Sequence, residues 1–322
     1  MRNLLLRGVV LLSSIIVGIV ADGNSSFPQE RGKFVDRDLV VKRIALAELT
    51  VRGTIQETVL LGSAGLPAGT PIRAEISCTW SNDALQGGGC QKANPVYERP
   101  LQYVAPEPRN AIDYTPEGHL IVHRWATARV YNTVQGVFLI EDWESLQIAP
   151  THEIIASSRS RTVKAWRTQA IFWAEAVQVA TGRIPMMLAD AITQTLPQND
   201  GTVLVQIQCS RLPHGWRLYL NPQEHWLIRR AEAIGADGKV LFTVETHGAL
   251  RNPQSDLVIA AGARAQIGGH TVTIRFTECA ARADRELLKE FQRLAQDPNA
   301  TRTDYRVGSV TLPDGQPIEL RP

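Results

Sequence analysis

Seven histidines, four cysteines and a few clustered carboxylates are the side chains of this 322-residue chain best suited to chemistry. His119 and His123 have the four-residue spacing that chelates a metal on a helix. They fall, however, in HLIVHRWATARVY, which reads as a strand and would hold the two rings about 13 Å apart. Glu141, Asp142 and Glu144 surround Trp143 and could supply the acid and base of glycoside hydrolysis. Carboxylates at a strand edge are more often ordinary surface. His225 and His270 sit at turns and are expected to be exposed. There is no HExxH, G-x-S-x-G, P-loop or dinucleotide fingerprint. The expectation is a non-enzymatic protein with no catalytic residue, metal or cofactor.

The cysteines carry a different expectation. Arg2 and Arg7, the uncharged run Gly8 to Val20 and then Ala21 have the layout of an export signal cleaved after Ala21. The rival, a retained anchor, needs about 20 apolar residues, and Arg7 interrupts the run early. A periplasmic or extracellular protein follows, in a compartment where cysteines pair by default. Cys78 and Cys90 flank TWSNDALQGGG, and a disulfide there would close a turn-rich loop, contributing on the order of 3 kcal/mol. Cys209 continues the apolar parity of Val203, Val205 and Ile207, whereas Cys279 shares a polar parity with Thr271, Thr273, Arg275 and Thr277. Alternation therefore argues against their pairing unless a bulge intervenes. No two cysteines have zinc-knuckle spacing.

The net charge of +2 gives no nucleic-acid footprint. One basic stretch stands out, Arg159, Arg161, Lys164 and Arg167 beside Trp166. It could meet phosphates, anionic headgroups or an acidic envelope partner, and a solvated sheet face explains it equally well.

The elements that must position these groups are mostly strands. The segment His214 to Val244 reads as an antiparallel meander. Its apolar face holds Trp216, Leu218, Leu220, Trp226, Ile228, Val240, Phe242 and Val244, and its turns are Asn221-Pro222 and Asp237-Gly238. Strands are expected over about 47–61, 72–80, 119–131, 136–148 and 203–209, with a late hairpin across Gly268-Gly269. Helices are expected over 168–179, Pro185 to Leu196 and Ala281 to Gln296. The organisation that results is a signal peptide over 1–21, a flexible lead-in over 22–35, a sheet domain over 36–280 with an irregular insert at 81–118, and a C-terminal helix and hairpin over 281–322. The class is α+β, with one large antiparallel sheet.

The run PMMLADAI, VLVQIQC, GWRLYLNPQEHWLIRRAEAI, GKVLFTVE and HTVTIRFTEC, within Ile184 to Cys279, resembles the bacterial lipoprotein-carrier superfamily of periplasmic carriers and outer-membrane receptors. A vaguer match covers Ala47 to Trp80. The resemblance implies a large curved antiparallel sheet, an unclosed half-barrel, with helices packed on the concave face as a lid over an apolar cavity. Trp216, Trp226, Phe242 and Phe276 would then be walls, and Met186, Met187 and Leu188 the lid. The partner it implies is a lipid or a lipoprotein acyl chain. The alternative is a structural or protein-interaction module of the cell envelope whose core is filled by these same side chains. Intact mass of the exported protein is expected to place the mature N-terminus at Asp22, and retention of residues 1–21 would show an anchor instead.

Overall fold

In a computed structural model of the chain, the residues described are 48–58, 71–83, 85–97, 112–151, 153–166, 171–183, 192–208 and 214–319. The first half contributes β1 (Leu49–Thr58), β2 (Pro71–Trp80), β3 (Gly88–Tyr97), β4 (Ile112–Tyr114), β5 (Leu120–Thr133), β6 (Gly136–Ile148) and β7 (Ile154–Trp166). Helix α1 (Phe172–Ala180) follows, then β8 (Ile192–Pro197), β9 (Val203–Ile207), β10 (Gly215–Asn221), β11 (Leu227–Ile234) and β12 (Val240–His247). After β13 (Leu250–Arg251) and β14 (Val258–Ile259) come β15 (Gly262–Ile267), β16 (His270–Ala280), helix α2 (Arg285–Ala295), β17 (Thr301–Asp304), β18 (Ser309–Thr311) and β19 (Pro317–Glu319).

Seventeen of these strands make one sheet, and β13 with β14 makes a small second one. The pairings run from β8 through β9, β10, β11, β12, β15, β16, β1, β2, β3, β5, β6, β7, β17 and β18 to β19, with β4 beside the far end of β5. The sheet is curved and does not close, so the expected α+β class is present. One pairing departs from the expected antiparallel order: β17 lies parallel to β7, Thr301 opposite Thr162 through Asp304 opposite Ala165. Helix α2 is the reason, because it carries the chain across the sheet before β17 begins.

The two helices cover opposite faces. Val130 belongs to the core around α1, while the next residue, Tyr131, packs with Ile140, Val163 and the α2 residues Leu288, Phe291 and Leu294. Successive strand residues point to opposite sides, so α1 sits with the main core and α2 packs on the other face of β5 and β6. Along α1, Trp173, Ala174, Ala176, Val177, Val179 and Ala180 are all buried. The Asp284 side chain caps α2 by accepting from the Leu287 N–H at 3.0 Å. Gly89 is required beneath it, since a Cβ there would lie 2.4 Å from the Phe291 ring.

Four sequence expectations change. Gly88–Tyr97 and Ile112–Tyr114 are strands inside the stretch read as irregular, because Gly89 and Cys90 lie between β2 and β5 where pairing satisfies every backbone group. Ile192–Pro197 is an edge strand on β9 and not the end of a helix from Pro185. β-Branched Ile192, Thr193 and Thr195 suit that edge, and residues 184–191, with Met186, Met187 and Leu188, lie outside the described ones. Trp226 leaves the strand it was assigned. Asn221 accepts from the Gln223 N–H, Pro222 starts a single 3-10 turn, and His225 (φ 57°) and Trp226 (φ 61°) are both left-handed before β11 begins at Leu227. Past the irregularity opposite Ile234, Val240 is exposed, while Phe242 and Val244 keep their place in the core.

Phe291 is completely buried between α2 and the sheet. Phe291→Ala is expected to cost about 3–5 kcal/mol in urea unfolding, and a loss below about 1 kcal/mol would show that α2 is not a packed part of the fold.

Candidate functional site

The predicted wall residues fall into two places. Trp216, Phe242 and Phe276 are buried in the α1 core. The Trp216 and Phe242 rings meet edge to face, with centroids 5.5 Å apart, and Phe172 meets Phe242 in the same way at 5.2 Å. His214 completes the cluster, 5.0 Å from Trp216 and 5.6 Å from Phe242. Its Nε2 stands 3.3 Å from Oε1 of Glu175, the acidic residue of α1, without a formed hydrogen bond. Trp216 and His214 also line a cavity of about 350 Å³ with Thr193, Ile207 and Gly235.

Trp226 is half-buried and packs against the margin of the same core. With Leu227, Ile228, Leu257 and Val258 it walls a cleft of about 290 Å³, bounded on the other side by Ala180 to Arg183 at the end of α1. The turn that places Trp226 is built from its own sequence: the Trp226 N–H donates to the Asn221 carbonyl at 2.9 Å, and Arg251 Nη2 donates to His225 Nε2 at 2.8 Å. Ser255 and Asp256 form the exposed rim. Arg183 is buried, and burial lowers its pKa to about 10. Sequence reading missed Arg183, although Thr181-Gly182 is a helix-stop signal that places it at the end of α1.

The polar candidates resolve into pairs. The acidic strand and the basic strand are neighbours: Asp142 stands opposite Arg161 and Glu144 opposite Arg159 across β6 and β7. Arg161 Nε donates to Asp142 at 2.6 Å, Lys164 to Glu141 at 3.0 Å, and Arg124 pairs with Glu144 at 2.6 Å. Arg129 joins Asp142 from β5, and Trp166 stacks on Tyr305 at 5.1 Å. The carboxylates thus pair with cations on both faces of the sheet, Asp142 and Glu144 on one and Glu141 with Lys164 on the other, and Arg167 lies outside the described residues. His119 bonds Gln147 and His123 bonds Ser145. His270 is buried, not exposed at its turn, because β16 is a central strand there; its Nε2 lies 3.9 Å from Glu57. Glu57 pairs with the buried Lys92, whose Nζ sits 4.8 Å from the Trp125 ring and 5.2 Å from that of Trp173. Among the described residues no group of three or more His, Cys, Asp or Glu could hold a metal.

Cys78 and Cys90 are direct partners across β2 and β3, and both are buried thiols. The expected disulfide is not formed; strand pairing itself closes the loop between them. Burial, then the adjacent Cys90, pushes the Cys78 thiol well above its ordinary pKa, which makes it a poor nucleophile. Cys279 is a free thiol as well, and Cys209 lies outside the described residues.

No protein-family model and no curated protein matches the sequence. Solved structures are similar over most of the chain, at low identity and TM-score. A DUF1329 family protein from Desulfovibrio piger is 9% identical, covering 77% of this chain and 91% of that one, with a TM-score of 0.40. A LolA superfamily protein from Nitrosomonas europaea is 10% identical, covering 77% of this chain and 94% of that one, with a TM-score of 0.34. The likeness is remote and concerns the path of the chain.

Desolvation alone would raise the Asp142 pKa, but hydrogen bonds from Arg161, Thr127 and Arg129 outweigh it and hold the carboxyl below its ordinary value. A depressed folded pKa stabilises the fold above the unfolded value and ceases to do so as pH falls through the folded one. Asp142→Asn is therefore expected to cost about 1.5–3 kcal/mol at pH 7, a gap to wild type that narrows below roughly pH 4. Urea titrations across that range measure it, and a gap independent of pH would exclude the ionic role.

Proposed function

We propose that the protein is a non-enzymatic, exported binding protein that holds a lipid, an acyl chain or another apolar ligand in the cleft beside Trp226. The observation that carries this reading is Trp226 itself. A bulky residue held left-handed costs on the order of 1–3 kcal/mol, and here the strained turn sets the indole into a cleft walled by Leu227, Ile228, Leu257 and Val258. An aromatic and aliphatic wall with a few polar groups at its margin is the usual composition of a site for apolar ligands. The site stands at one end of α1, at the margin of the core that holds Trp216 and Phe242.

The second reading, a structural or interaction module of the cell envelope, is favoured by the edge of β7. Among the described residues β17 pairs with β7 only from Thr162 to Ala165, so Ile154 to Ser160 offer an outer edge, with Ile154 and Ile155 exposed. Such an edge can accept a strand from a partner. No helix of the described residues is long and apolar enough to cross a membrane.

The two readings separate in one experiment. Solvent extraction and mass spectrometry of the purified mature protein are expected to release lipid, and a fluorescent fatty acid is expected to bind. Trp226→Ala should weaken that binding at least about tenfold without changing the melting temperature. A protein that carries no lipid and takes up none of the probe would overturn the binding reading and leave the interaction module.

A further inference from the structure

The cleft beside Trp226 is small as well as largely apolar, and its size selects among apolar ligands. Trp226, Leu257 and Val258 stand on one side of it and Ala180 and Gly182, at the end of α1, on the other, around a space of about 290 Å³. Gly182 is left-handed (φ 68°), and no described heavy atom lies within 4 Å of the position its Cβ would take. A ligand can therefore approach the backbone there more closely than a side chain would allow. Thr181 donates its hydroxyl to the Val177 carbonyl at 2.8 Å, whereas Ser255 and Asp256 are exposed at the rim. A polar end of a ligand can rest beside these two without leaving water.

A chain methylene takes up roughly the volume of a water molecule in the liquid, about 30 Å³. The cleft therefore holds on the order of ten carbons of one chain. A second chain on the same ligand would stay outside, and apolar surface left in water adds nothing to binding. Each methylene that does enter is expected to tighten binding about fourfold through the area it removes from water.

We propose that the cleft takes one unbranched hydrocarbon chain of about ten carbons, lying between Trp226 and Gly182 with its polar end in solvent beside Ser255 and Asp256. The inference rests on the reading of this cleft as the binding site, and it adds the class of ligand, a single-chain amphiphile as against a lipid with two or more chains. Ala281 also lines the cleft and is exposed. A larger side chain at that position takes up part of the space without displacing a core residue.

Calorimetric titration of the full mature protein with the saturated fatty acids from hexanoate to hexadecanoate, and with dioctanoyl phosphatidylcholine, each below its micelle concentration, tests it. Affinity is expected to rise about fourfold per methylene up to roughly ten carbons and then to level off. The two-chain lipid is expected to bind no more tightly than octanoate. A rise that continues to hexadecanoate, or a two-chain lipid that binds at least about tenfold more tightly than octanoate, would overturn the single-chain assignment and leave the apolar site standing. Binding of none of these ligands would overturn the site as well. Ala281→Trp is expected to move the levelling-off to chains shorter by roughly two carbons or more, and an unmoved break would remove this cleft from the role. Should that variant fail to fold, amide exchange in the wild-type protein decides: decanoate is expected to protect residues 180–183 and 226–228, and protection confined to other segments would overturn the proposal.

Discussion

An open sheet has two faces, and each must be covered or wetted along its whole length. Here nine residues of α1 cover the inner face where β11, β12, β15 and β16 pass beneath it, and nearly every side chain of the helix is buried there. The rest of the molecule depends on that contact. It packs Phe172 against Phe242, it brings Glu175 into the interior, and its last turn sets one wall of the cleft beside Trp226. Burying Glu175 is costly unless a partner stands near, and His214, the residue just before β10, is that neighbour.

The second constraint is charge on the longest strands. β5, β6 and β7 extend past the core, and their outward residues are held by side-chain pairs more than by apolar packing. Arg129, Asp142, Arg161 and Asp297 form a continuous chain of ion pairs from β5 to the loop after α2. That chain ties the parallel strand β17 to the antiparallel body. Groups resembling an acid pair and a phosphate-binding strip are thereby engaged in holding the sheet together.

Much of the fold was legible residue by residue. The meander alternation put Trp216, Leu218, Leu220, Phe242 and Val244 in the core, and the structure buries all five. The turn at Asp237-Gly238 forms with Gly238 left-handed, the hairpin across Gly268-Gly269 pairs β15 with β16, and the amphipathic stripe of α2 buries Leu288, Phe291 and Leu294. The strand β3 was not legible, because its glycines and its cysteine lack the alternation of a strand, and the glycines are explained only by the Trp80 ring beside Gly88 and the Phe291 ring above Gly89. Trp226 was misassigned for a similar reason. Its parity fits β11, but the turn geometry set by Asn221 and Pro222 ends one residue later.

Local rules act over a few residues: side-chain alternation, helix stripes, caps and turn types. By itself, therefore, the sequence determined that this is an α+β protein of many strands, which faces of the meander are apolar, and where most hairpins turn. Tertiary structure decided which charges meet, that α2 covers the face opposite α1, that Cys78 and Cys90 stand side by side as thiols, and that Arg183 shares a cleft with Trp226. Those outcomes depend on contacts between residues tens to hundreds of positions apart, such as Arg161 with Asp297 or Gly89 with Phe291, and no periodicity along the chain encodes them.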